Sequence, residues 1–268
     1  MRIVNLASGS KGNSTLLEYN GIKVLIDVGL SERKLKTLLQ KAGVNGFEEI
    51  YAICITHEHS DHIKALFSLA KKFDIKVFVH EKLAESNVFE KDAVKEGNLH
   101  TFNQMKFNVG DFEFLPVALS HDAIAPVGFV VNVFGSKSKV AFVTDTGTVF
   151  DSTKRALEGA KMIFIESNYD KDMLWGGKYP ELTKKRIHSD KGHLSNEQSL
   201  ALAKYLFEKG TKCFVLSHIS ENNNTYELAY VNYVNFFETQ GAVLDKDVFV
   251  RLSFQNKLGN NFSLKEEF

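Results

Sequence analysis

The chain has 268 residues, with 33 basic against 33 acidic side chains, 44% apolar and 25% charged residues. That composition excludes collagen-like, disordered and membrane-spanning chains and fits an ordinary globular protein. A formal net charge of zero gives no electrostatic footprint for tight, sequence-independent binding to nucleic acid, so a phosphate-bearing partner would need bound cations or a local basic stripe.

Residues 1–268 read as one α/β domain, with about 257–268 as a frayed tail. Apolar runs broken by glycine at 3–7, 15–19 and 22–28 predict a strand meander. An amphipathic helix follows over 31–42, with Leu35, Leu38 and Leu39 on one face, Ser31 as cap and Gly43 as stop. The β-branched run 50–56 predicts a strand, and 62–73 a helix. Further strands are predicted at 76–80, 112–118, 128–134, 139–144, 162–165, 213–217 and 248–254, with late helices at 195–208 and about 225–239. Cys54 and Cys213 lie far apart in apolar stretches and read as reduced core thiols, which fits a cytoplasmic protein. The opening MRIVNLASGS has no signal-peptide core, and no run of about 20 apolar residues occurs, so no membrane partner is expected. The oligomeric state is left open.

After the 50–56 run comes His57-Glu58-His59-Ser60-Asp61-His62. With 9 His and 13 Asp in the chain, H-x-H-x-D-H is expected by chance roughly 10⁻³ to 10⁻⁴ times. A helix cap would need one such residue, not four. Residues two apart on an extended segment point the same way, so His57 and His59 can grip one ion while Asp61 and His62, around the bend, face a second. Imidazole with carboxylate suits Zn²⁺, Mn²⁺ or Fe²⁺, and the lack of Cys argues against a closed structural zinc site. His121 (LSHDA), Asp145 (VTDTG) and His218 (LSHIS) each sit just past an apolar strand, where α/β folds gather their sites. His121 could complete the first ion site, His218 the second, and Asp145 could bridge them.

Asp27 (LIDVG), the 57–62 cluster, His121, Asp145 and His218, in this order, resemble the motifs of the metallo-β-lactamase superfamily. The resemblance implies a four-layer αβ/βα sandwich, two mixed β-sheets with helices outside and two divalent metal ions at one edge. It casts Asp27 as a buried carboxylate ordering the cluster loop rather than as a ligand. His59 stands where oxygen-reducing di-iron members carry Glu. The phrases LASGSKGNST, HDAIAPVGF, ESNYD, GHLSN and SHISENNN are similar to a bacterial subgroup of proposed nucleases named for YycJ, and more distantly to tRNA 3′-processing endonucleases.

That resemblance pairs Glu166 with His193. Ser195 to Gln198 reads as a capping box, so His193 lies just ahead of a helix, and a nearby Glu would hold its tautomer for donating a proton to a leaving alkoxide. The expected activity is a metal-dependent phosphodiesterase or nuclease, and the subgroup resemblance implies a DNA exonuclease acting on single strands or ends. A hydroxide bridging the two ions would attack, with Asp61, Glu166 and His193 as catalytic groups. Hydrolysis of thioesters, lactones or amides, and iron-dependent sulfur or oxygen redox chemistry, are the alternatives. The turn carrying Ser10 and Asn13 could hold an anion or simply connect a hairpin; Ser217, Ser220, Asn222 and Asn223 could hold phosphate or merely form turns. The run Lys184-Lys185-Arg186 is either a basic arm near the site or solvated surface, and His80, His100 and His188 receive no role.

Overall fold

A computed structural model describes residues 1–136 and 139–264. The first half of the chain forms β1 (Arg2–Ala7), β2 (Ser14–Tyr19), β3 (Ile22–Ile26), α1 (Glu32–Lys41), β4 (Ala52–Cys54), α2 (Ser60–Ile63), α3 (Leu66–Lys72), β5 (Lys76–His80), α4 (Glu81–Ala84) and β6 (Leu99–Phe102). The second half forms β7 (Phe107–Val109), β8 (Phe112–Ala118), β9 (Val127–Val133), β10 (Val140–Val143), α5 (Asp151–Leu157), β11 (Met162–Glu166), α6 (Lys171–Gly176), α7 (Glu181–His188), α8 (Asn196–Glu208), β12 (Cys213–Ser217), α9 (Tyr226–Thr239) and β13 (Phe249–Leu252). A last strand, β14 (Asn261–Ser263), returns to β1.

Two seven-stranded sheets result, ordered β14-β1-β2-β3-β4-β5-β6 and β13-β12-β11-β10-β9-β8-β7. Each is antiparallel along one side and parallel along the other, with the switch at β3 in the first sheet and at β10 in the second. Side chains alternate across each strand. Ile3, Leu17, Val24 and Cys54 therefore face the second sheet, where they meet Phe112, Phe114, Phe129, Phe142 and Phe164. Val4, Leu16, Leu25 and Ile53 face outward beneath Leu35, Leu39 and Leu69 of α1 and α3. On the far side Ile163, Ile165, Phe214 and Leu216 lie under α8 and α9. Three apolar interfaces between four layers make an αβ/βα sandwich, and strands buried on both faces explain the unbroken apolar runs. Each fully buried Leu, Ile or Phe side chain contributes about 1.5–3 kcal/mol relative to exposure.

Several predicted boundaries move. The strand predicted over 50–56 is only Ala52–Cys54, because the Thr56 amide leaves the ladder to donate to Asp27 Oδ1 at 2.9 Å. The helix predicted over 62–73 begins earlier and breaks into α2 and α3. Val28 inserts at the break, donating to the His62 carbonyl (2.8 Å) and accepting from the Ala65 amide (3.0 Å). The supposed frayed tail is wrong for its first part: β14 pairs with β1, Phe262 packs on Phe164 and Leu264 is buried. Residues 265–268 lie outside the described residues.

The site-bearing segments leave one edge of the sandwich. Asp27 follows β3, residues 57–62 follow β4, His121 follows β8, Asp145 follows β10, Glu166 ends β11 and His218 follows β12. A close backbone approach fixes the 57–62 loop there. Gly29 N donates to the Asn13 carbonyl (2.9 Å) and Asn13 N donates to the Asp61 carbonyl (2.8 Å); a Cβ on Gly29 would lie 1.5 Å from the Asp61 oxygen. Gly29→Ala is expected to destabilise the fold by about 3 kcal/mol, the upper part of the range for overpacking. A urea-unfolding midpoint equal to that of the wild type would refute this contact.

Candidate metal centre

Donor atoms gather in overlapping groups, the atoms of each within 4.8 Å of one another: His57, His59 and His121; His57, His62 and Asp145; Asp61, His62 and His218; and Asp145, Glu166, His193 and His218. Asp27, Asp145 and His218 take left-handed backbone angles (φ 59°, 64° and 53°), a conformation that costs on the order of 1 kcal/mol or more for residues other than glycine. All three are the residues at which a strand end turns into the cleft. Strain is thus concentrated where side chains converge.

His57, His62, His121 and His218 each have one ring nitrogen committed to the protein. His62 Nδ1 donates to Asp27 Oδ2 at 2.7 Å, and the other oxygen of Asp27 accepts from the Thr56 amide. Thr56 Oγ1 donates to Asp27 Oδ2 (2.9 Å) and lies 3.0 Å from His57 Nδ1. His121 Nδ1 donates to the Gly192 carbonyl (3.0 Å), and His218 Nδ1 donates to Glu166 Oε1 (2.9 Å). The opposite nitrogens then point at one another and at carboxylates. His121 Nε2 and His59 Nδ1 are 3.2 Å apart, close to the roughly 3.3 Å expected for two nitrogens on one tetrahedral zinc. His62 Nε2 faces Asp145 Oδ2 at 3.1 Å and Asp61 Oδ2 at 3.6 Å, and His218 Nε2 faces Asp61 Oδ2 at 3.8 Å.

The electrostatics call for positive charge at this place. Asp27, Asp145 and Glu166 are buried and Asp61 is mostly so. Burial opposes charge on His62, yet Asp27 and Asp145 hold its pKa well above the usual imidazole range. Burial likewise opposes charge on His218, but Asp145, Asp61 and Glu166 push it up to about 10. Burial alone would raise the Asp145 carboxyl, which His218 and His62 instead hold well below the ordinary carboxylate range. His57 is held well below the imidazole range by burial and by facing His62, so it offers a neutral lone pair. The buried atoms His57 Nε2, Asp145 Oδ2 and His218 Nε2 have no hydrogen-bond partner among the described residues. Buried polar atoms are rarely left unpaired, and three converging orphans of this chemistry fit divalent cations bound in exchange for protons.

Glu166 is fully buried rather than at the surface. Its Oε2 accepts the Thr146 and Leu194 amides (3.0 and 3.3 Å), and its Oε1 accepts from both His218 and His193 Nδ1, the latter at 2.8 Å. His193 is thereby held 3.6 Å from Asp145 Oδ1, with Nε2 as its remaining ring nitrogen. Its place ahead of α8 follows from the capping box of Ser195 and Gln198, in which each side chain meets the other's backbone amide.

The phosphate-contact readings fare unevenly. Ser217 is buried, its hydroxyl donating to the Val215 carbonyl and lying against Ser253, so it does not reach a ligand. Ser220 accepts the Asn222 and Asn223 amides as a turn cap, and the buried Asn223 gives its carbonyl to the Asp170 amide. Those are the turn-forming roles. Asn222 donates to Tyr179, and the exposed Ser10 lies against Gln255. Asn13 is different: its buried amide donates to Asp61 Oδ2 (3.2 Å) and lies 3.0 Å from His62 Nε2. In the basic run, Lys184 is buried on the Trp175 carbonyl, while Arg186 pairs with Asp122 (2.6 Å), whose other oxygen lies 3.5 Å from His121 Nε2. His80 caps α4 and His100 stacks on Phe78. Residues that the spacing did not expose are Thr56, Asp122 and Asn168; Asn168 donates to the His218 carbonyl at 2.8 Å. Thr56 and Asn168 carry no signal of their own, since a hydroxyl or amide is common in loops, whereas Asp122 stands beside His121 in LSHDA, where a signal was present.

A family model described as the beta-lactamase superfamily domain matches residues 23–219. The chain belongs to that superfamily. All seven donors at 57, 59, 61, 62, 121, 145 and 218 fall inside the matched span, and superfamily and donor set together imply divalent metal ions. Among curated relatives, the chain is 38% identical over 243 residues to a protein named exodeoxyribonuclease YycJ from Bacillus anthracis, covering 88% of this chain and 89% of the relative. It is 40% identical over 233 residues to exodeoxyribonuclease WalJ from Streptococcus pneumoniae, covering 86% of each. Among solved structures, the metallo-beta-lactamase fold protein YhfI from Bacillus subtilis superposes with a TM-score of 0.72 at 15% identity, covering 98% of this chain and 99% of the other; that likeness concerns the fold alone. No helix of the described residues is long and apolar enough to cross a membrane.

Proposed function

We propose that this superfamily member is a two-metal phosphodiesterase that degrades DNA, acting on single strands or ends, in the cytoplasm. The observation that carries the reading is the His193–Glu166 pair beside the donor cluster, with His193 Nδ1 at 2.8 Å from the carboxylate. Hydrolysis of a thioester or lactone has less need of a second, separately buttressed proton donor, whereas an alkoxide leaving from phosphorus needs one. The curated relatives named exodeoxyribonucleases support the DNA assignment.

His57, His59 and His121 would hold one cation, Asp61, His62 and His218 the other, and Asp145 would touch both. Zn²⁺ and Mn²⁺ suit these donors best, and Fe²⁺ is compatible with them. When bound, the cations supply an activated water near neutral pH and offset charge on the phosphoryl oxygens. Asp61, the most exposed carboxylate of the cluster at 22%, orients the attacking water and takes up its proton. Glu166 accepts from His193 Nδ1, fixing the ring so that Nε2 can protonate the departing oxygen. Asp27 acts through His62 and Thr56, holding the loop that carries the donors.

Incubation of the purified protein with labelled single- and double-stranded DNA, RNA and a generic thioester, with Mn²⁺ or Zn²⁺ added, tests this. Progressive loss of nucleotides from DNA strands is expected. Thioester turnover with every nucleic acid left intact would overturn it.

A further inference from the structure

The segment between Glu166 and His193 is not used by the chemistry above, yet it is fastened to the site at both ends. Its Asp170 amide donates to the Asn223 carbonyl near His218 (2.8 Å), and its Ile187 carbonyl accepts the His193 amide (2.9 Å). Tyr179 accepts from Asn222 at 2.8 Å. Within it, α6 carries Trp175, the only tryptophan of the chain, and the indole is 42% exposed. Tryptophan is normally among the more buried side chains.

The ring is held in place although it is open to solvent. Its own carbonyl accepts from Lys184 Nζ at 2.9 Å, and that lysine is buried. The His188 ring stands edge-on to the indole, 5.4 Å between centroids at 71°. His188 Nδ1 is in turn 2.8 Å from the hydroxyl of Tyr169, a fully buried residue. One path from the indole to the site backbone runs through His188 and the neighbouring Ile187 carbonyl, which accepts the His193 amide. In the same segment Lys178, Lys185 and Lys191 are exposed, Lys185 lying one turn before His188 on α7, and none is in an ion pair among the described residues. Of the exposed acidic residues of the segment, Glu181 is already paired with Lys184, while Asp172 and Asp190 are in no ion pair among the described residues.

We infer that Trp175 is a stacking platform for a nucleobase of a single-stranded DNA substrate, with the lysines of the same segment facing its phosphates. The inference rests on the proposed nuclease reading and adds a binding subsite to it. An exposed aromatic ring on a segment that carries unpaired cations matches a flexible polyanion with a π-face at each repeat. It does not match an apolar partner, which would have to strip water from the lysines. Because every base has such a face, the subsite would tolerate any sequence while favouring unpaired strands, whose bases are free to stack.

The single indole reports on itself. A phosphorothioate oligothymidylate, which resists cleavage, is expected to quench the tryptophan emission of the metal-loaded protein saturably. An abasic oligonucleotide of equal length should leave it almost unchanged. By anisotropy of a labelled oligothymidylate, Trp175→Ala is expected to weaken binding by about tenfold, the loss of one base–aromatic stack, and Trp175→Tyr to restore most of it. Equal quenching by the abasic chain, or unaltered affinity in Trp175→Ala, would overturn the subsite. Both readouts are of binding, so they stand apart from cleavage: DNA that binds with quenching but is never cut defeats the catalytic reading, and DNA that is cut without quenching defeats only the platform.

Discussion

Asp61→Ala is expected to lower DNA cleavage by about 10⁴-fold, the top of the range for an acid–base group, because in the proposed mechanism the same carboxylate would also serve as a cation ligand. Its Oδ2 lies 3.6 Å from His62 Nε2 and 3.8 Å from His218 Nε2, and accepts from Asn13 Nδ2 at 3.2 Å. Removing it would take away the proposed ligand between those two imidazoles and the proposed acceptor for the proton of the attacking water. The fold should survive the change, since the main chain of Asp61 is held independently by the Asn13 amide and the side chain is partly exposed. Gel-resolved digestion of end-labelled single strands, with metal content determined on the same preparation, measures both losses. Equal cleavage by variant and wild type would mean that the activity belongs to a contaminating nuclease.

His193→Ala is expected to slow cleavage by about 10²-fold or more while leaving both cations bound. His193 has no part in the groups of His57, His59 and His121 or of Asp61, His62 and His218, and Glu166 keeps its bonds to His218, Thr146 and Leu194 without it. A leaving-group comparison separates proton donation from a general disturbance. The penalty should shrink towards unity on a p-nitrophenyl phosphodiester, because p-nitrophenolate departs without a proton. A defect of equal size on both substrates would assign His193 a positioning role.

Legibility in the sequence followed the range of the forces involved. The gathering of seven donors was readable because each lies at or just beyond a strand end, and strand ends in such folds converge on one edge. The same logic exposed Asp27 at the end of β3, and the capping box located His193. Tertiary insertions left no such trace. The break between α2 and α3 comes from Val28, more than thirty residues away in sequence, and β14 exists only because β1 offers it an edge. The short helices α5, α6 and α7 span 6 to 8 residues, too few turns for a persistent apolar stripe to stand out. The two readings of Ser217 could not be separated by spacing, because its neighbour His218 turns into the cleft through a left-handed backbone while the serine hydroxyl remains inside the strand layer.

Anomalous X-ray scattering from crystals grown with Zn²⁺ or Mn²⁺ bears most directly on the gathering of those seven side chains around a cation pair. Two peaks about 3.5–4 Å apart are predicted. One should contact His57, His59 and His121, the other Asp61, His62 and His218, and both should contact Asp145. A single peak, or a pair located away from Asp145, would contradict it.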